Sequence, residues 1–499
     1  MGTTTRAPWL VATLLTIASP LAAQQSVPAS LSLERAWELA RTNNPGFMQT
    51  RNDEALADWN VRQAWGQLMP SASASFGASW QGAGEQRLGS LTLGDLGFGN
   101  QPSYYFSSYS LGLGYSLDWA TLQGPKQTKA ERRSTLARID AAEENLLTQV
   151  TNAYVELLRQ QEARRIAELQ LENSSFNLRL AQGQLEVGSV TPIDVGQAEV
   201  QVGRAEVAVL QARNRLATSR MRLLQLLGQP VQQDFQPSTT FELTEPAWEL
   251  EDLTATALAQ NPELGARRLS SEAASIAVGS ARSQYFPSLS ISTGWSGFSR
   301  EASSTDFQVA QAQAQVQSQI AQCVRTNDLY SRLASPLPPI DCAQLAFTDE
   351  QRAAIINSNN QFPFSFEQSP PSLGVTLSIP IFQGLSRERN LEAARLQRED
   401  MQEQVREQEI ALEADLAIGL ANARTLYQSA LLEQRNRELA DQQLRLARER
   451  YQLGAITFVE LMDAQTVLEQ AEADRIAAVY AYHDAVTTLE ALVGASLRS

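Results

Sequence analysis

The sequence predicts a mostly α-helical protein with a membrane β-barrel part, built from a duplicated unit of short strands and one long helical hairpin. Three observations support this fold class. Landmarks of the first half recur in the second half at nearly constant offsets. Each half contains a very long stretch without proline, 126–187 and 385–453, which exceeds an ordinary globular helix. Each half also contains segments in which small polar and apolar residues alternate, as in the strands of membrane barrels.

The composition argues against several functional classes. The chain has 499 residues and a formal net charge of −15, which disfavours binding to nucleic acid. Its single histidine, His483, and its two cysteines cannot form a His/Cys metal cluster or a histidine-based catalytic triad. We therefore expect no enzymatic activity, no metal site and no cofactor. No internal run approaches the roughly 20 apolar residues of a membrane-spanning helix.

Residues 1–23 are predicted to form a secretory signal peptide. Arg6 precedes the apolar run 9–17, and small residues lead to a cleavage site after Ala23. The alternative, a membrane anchor, is disfavoured because the apolar run is too short. Export would place the protein in an oxidising compartment, where a disulfide between Cys323 and Cys342 is expected.

The two halves align as repeats, which we assign to 24–246 and 247–499. In the first part of each half the landmarks are 217 positions apart: Asn44, Pro45, Pro70 and Gly77 match Asn261, Pro262, Pro287 and Gly294. Towards the end of each half they are 266 positions apart: Gly188, Thr191, Asp194 and Gly228 match Gly454, Thr457, Glu460 and Gly494. The growth of the offset indicates an insertion in the second half.

Each repeat begins with helices and continues with strands. A short helix is predicted at 33–43 and 250–260, ended by Asn-Pro, and a longer helix at 47–69 and 264–286, ended by proline. Strands are predicted at 71–80, 109–119, 288–297 and 372–382. Their two-residue period, with aromatic residues near the ends, favours a membrane β-barrel. An ordinary amphipathic sheet is the alternative for these strands taken alone.

The proline-free stretches predict one long helix per repeat, followed by return helices at 193–227 and 458–493. The return helix and the preceding shorter helix together nearly match one long helix in length, which predicts a four-helix layer. Spacing of three and four residues marks the seam of the first return helix. Its members are Val195, Ala198, Val202, Ala205, Val209, Ala212, Leu216, Ser219 and Leu223. Such spacing permits coiled-coil packing.

The insertion is assigned to 298–371, between the two strands of the second repeat. It is rich in Gln, Ser and Ala and holds both cysteines. Long loops lie on the extracellular side of outer-membrane barrels, so we expect the insertion to be extracellular.

Two short stretches are predicted to be the tips of the hairpins. Each has a glycine, Gly188 or Gly454, which turns the chain at a helix end, and a carboxylate six positions later. The second tip carries Glu460 and Asp463 on one helix face, because they are three residues apart. These carboxylates could instead only stabilise a helix N-terminus.

The chain resembles the TolC family of outer-membrane efflux proteins. The resemblance covers nearly all of 33–494 and rests on motifs that occur in order. These are the duplicated plan, Asn-Pro after each first helix, Ile379-Pro380-Ile381-Phe382 before the second long helix, Val187-Gly188 with Asp194-Val195, and Tyr451-x-x-Gly454 with Glu460 and Asp463.

This resemblance implies a homotrimer in the outer membrane, with a large periplasmic part. Each chain would give four strands to a 12-stranded β-barrel, continuous with a periplasmic α-helical barrel. It also implies a periplasmic adaptor protein and an inner-membrane pump as partners. Four strands cannot close a barrel alone, so the strands independently require oligomerisation.

The resemblance further assigns roles to the tips. The gate would be formed by Asp194, Tyr451, Glu460 and Asp463. The adaptor would dock on Val187, Gly188, Thr191, Leu453, Gly454 and Thr457. In the best-known member of the family, an arginine two residues after the second tip glycine helps to lock this gate. Ile456 stands at that position here, so the resemblance implies a closed state that is held differently or more weakly.

The expected function is therefore a passive outer-membrane duct of a tripartite efflux or export system for small molecules. Type I protein secretion is an alternative, and nothing in the sequence separates the two kinds of cargo. A structural coiled-coil surface protein is an alternative of another class, disfavoured by the duplicated strands.

Overall fold

The computed structural model describes residues 27–84, 87–88, 91–92, 101–231, 234–335 and 337–498. The predicted signal peptide 1–23 lies outside them. The chain divides into two compact units. One contains the chain up to Val61, Thr128–Ile276 and the chain from Ala394; the other contains Arg62–Gln127 and Ala277–Ala393. Each sequence repeat therefore contributes to both units.

The helices and the main strands follow the predicted order. The helices are α1 (Leu33–Asn43), α2 (Pro45–Gly66), α3 (Trp119–Glu186), α4 (Pro192–Leu226), α5 (Leu250–Gln260), α6 (Pro262–Arg282), α7 (Asp306–Ser331), α8 (Asp349–Ser358), α9 (Ser386–Gln452) and α10 (Phe458–Val493). The strands are β1 (Ser71–Gln81), β2 (Tyr104–Leu117), β3 (Ser288–Ala302) and β4 (Ser372–Ser378). Short two-residue strands at Ser30–Leu31 and Gln236–Pro237 pair in parallel.

The four main strands form one antiparallel sheet in the order β1-β2-β3-β4. Three strand bounds differ from the sequence prediction by more than two residues. β2 begins at Tyr104 rather than 109, and β3 continues to Ala302, because these two ends pair with each other. β4 ends at Ser378 rather than 382, since Pro380 has no N–H for a strand ladder.

The two faces of this sheet differ in chemistry. The register is continuous, so alternate residues of every strand share a face. One face carries Ala, Leu, Ile, Val, Trp and Tyr side chains, for example Leu111, Trp295 and Val375. The other carries Ser, Gly and Thr over most of its length, for example Ser73, Gly112 and Ser292, and larger side chains only at the end near Tyr104 and Arg300. This alternation is what a membrane barrel strand requires.

The insertion is helical and shorter than predicted. It extends from 303 to 366, because both ends of the predicted range 298–371 belong to the sheet: Phe298 pairs with Glu367. It contains α7 and α8, and a disulfide joins Cys323 to Cys342. Its last residues cross the apolar face of the sheet. There the Glu301 carboxylate accepts hydrogen bonds from the N–H groups of Gln361 and Phe362, at 3.1 and 2.9 Å.

The first long helix begins earlier than predicted. Asp118 caps it, accepting hydrogen bonds from the Thr121 N–H at 2.6 Å and the Thr121 hydroxyl at 2.9 Å. Pro125 therefore lies within the helix rather than before it. None of the helices in the described ranges is both long and apolar enough to cross a membrane.

The same joint occurs in both repeats, at the Asn-Pro dipeptides. Asn44 accepts a hydrogen bond from the Phe47 N–H at 2.9 Å, which caps α2, and donates to the Leu226 carbonyl at the end of α4, at 2.8 Å. Asn261 does the same, with the Leu264 N–H at 2.8 Å and the Leu492 carbonyl at 2.8 Å. One amide thus ends the short helix, starts the next and holds the return helix.

The order of the long helices follows from their polar contacts. Arg213 of α4 pairs with Glu168 of α3 at 3.2 Å. Gln465 of α10 donates to the Ser174 hydroxyl of α3 at 3.0 Å. Arg437 of α9 pairs with Glu472 of α10 at 2.6 Å. The layer is therefore ordered α4-α3-α10-α9. All nine seam positions predicted for α4 are buried or half-buried, which confirms that seam.

Candidate gate at the hairpin tips

Both hairpin tips turn at the predicted glycines. Gly188 and Gly454 have φ angles of 73° and 72°, a conformation that costs glycine little. In the first tip, the N–H of Ser189 donates to the Gln184 carbonyl at 2.8 Å; in the second, the N–H of Ala455 donates to the Arg450 carbonyl at 2.9 Å. These bonds close the ends of α3 and α9 in the same way.

Two of the predicted gate carboxylates are helix caps. Asp194 accepts hydrogen bonds from the N–H and the hydroxyl of Thr191, both at 2.8 Å. Glu460 accepts from the N–H of Thr457 at 2.7 Å and from its hydroxyl at 2.9 Å. The bonds from Thr457 lower the pKa of Glu460. Both carboxylates therefore fix the starts of the return helices.

Tyr451 lies in the core of the tips rather than on their surface. Its side chain is only 2% exposed and packs against Phe458, with 5.8 Å between the ring centroids. Its hydroxyl has no hydrogen-bond partner among the residues that the structure describes. Burial raises the pKa of Tyr451, and the nearby Asp194 charge raises it further. Tyr451 and Asp194 are therefore not joined by a hydrogen bond.

Ile456 belongs to the same apolar cluster. It is partly buried there, as is Val190, the residue at the equivalent position of the first tip. The Ile456 side chain therefore contributes to the apolar core of the tips. Gln184 links the two tips, because its side-chain amide donates to the Tyr451 carbonyl at 3.3 Å. The sequence analysis missed this link.

The predicted docking residues are accessible. Val187 and Leu453 are 75% and 83% exposed, although both are apolar. Thr191, Thr457, Gly188 and Gly454 are exposed beside them. Asp463 is also exposed, one turn into α10 from Glu460. The tips therefore expose apolar side chains as well as the carboxylates of Glu460 and Asp463.

A buried ionic network crosses the helical layer further from the tips. The Glu472 carboxylate is buried and pairs with Arg437 at 2.6 Å and with Arg475 at 3.4 Å. Arg475 also pairs with Glu162 of α3 at 3.2 Å, and hydrogen bonds from Arg165 and Arg475 help to lower the pKa of Glu162. The network joins the hairpins of the two repeats, and no local sequence signal predicted it.

Comparisons with known proteins identify the family and the fold of the chain. The model of the outer membrane efflux protein family matches residues 36–229 and 350–495, more than half of the chain. The chain belongs to the outer membrane efflux protein family. Members of this family are efflux channels rather than enzymes, in agreement with the expectation from composition. The family match leaves out 230–349, which holds β3 and α7.

Individual members of the efflux protein family are only distantly similar in sequence. The pyoverdine export outer membrane protein OpmQ of Pseudomonas putida is 26% identical over 279 residues, which is 53% of this chain and 56% of OpmQ. OpmQ of Pseudomonas aeruginosa is 27% identical over 249 residues, 48% of this chain and 50% of OpmQ. The chain thus spans about half the length of the curated relatives it matches.

Solved structures of outer-membrane channels share the fold over nearly the whole chain. The CmeC channel of Campylobacter jejuni has a TM-score of 0.67 and 15% identity, covering 93% of this chain and 85% of CmeC. VceC of Vibrio cholerae has a TM-score of 0.65 and 16% identity, covering 93% of this chain and 96% of VceC. These similarities establish the predicted TolC-like fold.

Proposed function

We propose that this chain forms the outer-membrane duct of an export system, closed into a channel by three copies and gated at the hairpin tips. The observation that carries the proposal is the combination of a four-stranded sheet with two chemically distinct faces and a layer of two long hairpins. Small molecules are the proposed cargo, because the curated relatives are pyoverdine export proteins. A periplasmic adaptor is proposed to dock on Val187 and Leu453, and an inner-membrane pump to supply the cargo.

Open edges of the sheet support the trimer. Within the main sheet, β1 and β4 are the outer strands, and each pairs along its length with only one other strand. A membrane sheet needs partners at both edges, since unpaired backbone groups are costly in lipid. A neighbouring copy can supply β4 to β1 and β1 to β4.

Exposed apolar faces of the helical layer support the trimer independently of the sheet. Three apolar residues of α4, Ile193, Val200 and Val207, are exposed at intervals of seven. On α9, Leu432, Leu439 and Leu446 are exposed at the same intervals. On α4 the stripe lies two positions from buried-seam residues, and on α9 Leu432 and Leu446 lie two positions from the buried Ala430 and Leu444. Positions two residues apart are about 200° apart on a helix, so each stripe lies roughly opposite the buried face of its helix. Both stripes lie at similar distances from the tip glycines, so α4 of one copy can pack against α9 of the next.

Native mass spectrometry in detergent is expected to show three chains. Leu432→Glu plus Leu439→Glu should leave mainly monomers, because two carboxylates would be buried in an apolar seam at a cost of several kcal/mol each. The matched control is Leu169→Glu plus Val467→Glu, at exposed apolar positions on the inner helices α3 and α10, which should remain trimeric. A stable wild-type monomer with intact strand content would contradict the closed barrel.

The gate is proposed to consist of stacked carboxylate rings at the tips. Three copies would place Asp194, Glu460 and Asp463 around one opening, with the Tyr451 cluster packed behind them. Rings of acidic groups favour cations, and a low-dielectric wall focuses their field. The duct should therefore be cation-selective and be blocked by trivalent metal ions added from the tip side.

Single-channel recordings in planar bilayers test the duct and the gate together. Glu460→Gln plus Asp463→Asn removes both charges, and glutamine can still cap α10, so the tip should stay folded. We expect weaker cation selectivity and weaker metal block in this variant. Glu407→Gln plus Glu413→Gln, at exposed positions of α9, is the control and should behave as wild type. Absence of conductance would contradict the duct; unchanged reversal potential and block would remove the two carboxylates from the gate.

A further inference from the structure

The polar face of the main sheet is almost free of charge. Along β1, β2, β3 and β4 only two residues are charged, Arg300 and Glu301, both near the end of β3. They are consecutive, so they lie on opposite faces. Glu301 is on the apolar face, where it holds the insertion. Arg300 shares the other face with Ser290, Ser292 and Ser296 and is its only charged side chain.

Two aromatic rings hold the Arg300 guanidinium in place. Its central carbon lies 3.8 Å from the centroid of the Tyr104 ring and 5.5 Å from that of the Phe106 ring. The register explains this contact, because Phe106 is the direct partner of Arg300, and Tyr104 is the partner of Ala302 on the same face. Tyr104 is buried, whereas Arg300 remains exposed. A cation stacked on rings in this way is ordered without being neutralised.

Arg300 lies at the end of the sheet where strands are joined by loops and the insertion. It is twelve residues from Ser288, which follows α6, and this is roughly 40 Å along an extended strand. The other end of the sheet continues into α3 and α9. In the proposed duct, the loop end is the extracellular mouth and the Ser/Gly face is the lumen.

We propose that Arg300, oriented by Tyr104 and Phe106, is a binding site for small organic anions at the extracellular mouth of the duct. The threefold repetition of the site rests on the proposed trimer. A guanidinium pairs with carboxylate or sulfonate oxygens through two parallel hydrogen bonds. The guanidinium stacks on the Tyr104 and Phe106 rings and its side chain remains exposed, so its N–H groups are accessible to an anion. The duct would then carry negative charge at the tips and positive charge at the exit.

The probe is pyranine, a planar aromatic trisulfonate, added to the extracellular side during planar-bilayer recordings. We expect it to reduce the wild-type current and to block Arg300→Gln about tenfold less strongly, because three cations are lost from the lumen. Arg300→Lys keeps the charge without the planar fork and should be intermediate. Arg352→Gln, an exposed arginine of α8, is the matched control and should stay within about twofold of wild type. Equal block of wild type and Arg300→Gln would overturn the site.

A second measurement does not depend on conductance. Fluorescence anisotropy of pyranine with the purified protein in detergent should show binding that Arg300→Gln weakens by the same factor and Arg352→Gln does not change. Binding that depends on Arg300 in a protein without conductance would contradict the proposed duct and support the anion site. Conductance with no effect of Arg300→Gln on block or binding would support the duct and overturn the anion site.

Discussion

Gly228→Ala is expected to destabilise the protein by more than about 3 kcal/mol. Gly228 has a φ of 65°, which L side chains rarely adopt, and follows the end of α4. A Cβ atom there would lie 2.1 Å from the Asn43 carbonyl oxygen and 2.6 Å from its carbon. Both atoms belong to the backbone, so no side-chain rotation can relieve the overlap. The joint at Asn44 would have to open.

Alanine substitutions at two other glycines separate the effect of the positive φ from the effect of the overlap with Asn43. Gly188 has the same kind of φ but open space around its Cβ position, so Gly188→Ala should cost only about 1 kcal/mol. Gly203 lies inside α4, also in open space, so Gly203→Ala should stabilise by about 0.5–1 kcal/mol. Thermal unfolding midpoints of the three variants, measured in detergent, rank their stabilities. A Gly228→Ala variant no less stable than Gly188→Ala would contradict the close approach to Asn43.

Acidification is expected to destabilise the protein, because the buried His483 imidazole must take up a proton. The imidazole is 2% exposed and packs against Phe241 and Tyr482, with ring centroids 5.3 and 5.4 Å apart. Burial, together with the Arg498 charge, lowers the pKa of His483 from 6.5 to about 4. The unfolded chain therefore binds a proton at a higher pH than the folded chain. The stabilisation is complete above pH 6.5 and is lost as pH falls towards 4, by about 3 kcal/mol in total.

The comparison of wild type with His483→Phe isolates this effect. Phenylalanine keeps an aromatic ring in the cluster and does not titrate. Unfolding midpoints at pH 7.5 and pH 4.5 should fall further for wild type than for the variant. Carboxylates titrate in both proteins, so their contribution cancels in the difference. Equal pH dependence of the two proteins would show that the imidazole is protonated as easily in the folded state as in the unfolded state.

The features predicted from sequence are those with local signals. Asn-Pro at 44 and 261 and glycine at 188 and 454 predicted helix ends to within a few residues, because caps and left-handed turns depend on neighbouring residues. The start of β2 was missed because Tyr104, Tyr105 and Phe106 interrupt the alternation of small and apolar residues. Their place in the sheet depends on pairing with β3, almost 200 positions later.

The roles of side chains at the tips were harder to predict. The sequence predicted that Asp194 and Glu460 lie near the tips, because each is six positions after a tip glycine. It did not decide whether these carboxylates cap the return helices or line the gate. The burial of Tyr451 depends on how two hairpins meet. The network around Glu472 depends on the axial register of α3 against α10, which brings Glu162 to Arg475. Neither spacing nor composition fixes that register.

The Asn joints also bear on ancestry. Each joint is complete within its own repeat: Asn44, Leu226 and Gly228 belong to the first, and Asn261, Leu492 and Gly494 belong to the second. A chain with a single repeat would therefore hold its two N-terminal helices against the end of its return helix without help from the other repeat. Six such chains would supply the strands and hairpins that three chains supply in the proposed duct. Fusion of two genes would then have halved the number of subunits, and it would have freed one repeat to gain a long insertion while the other kept a short loop.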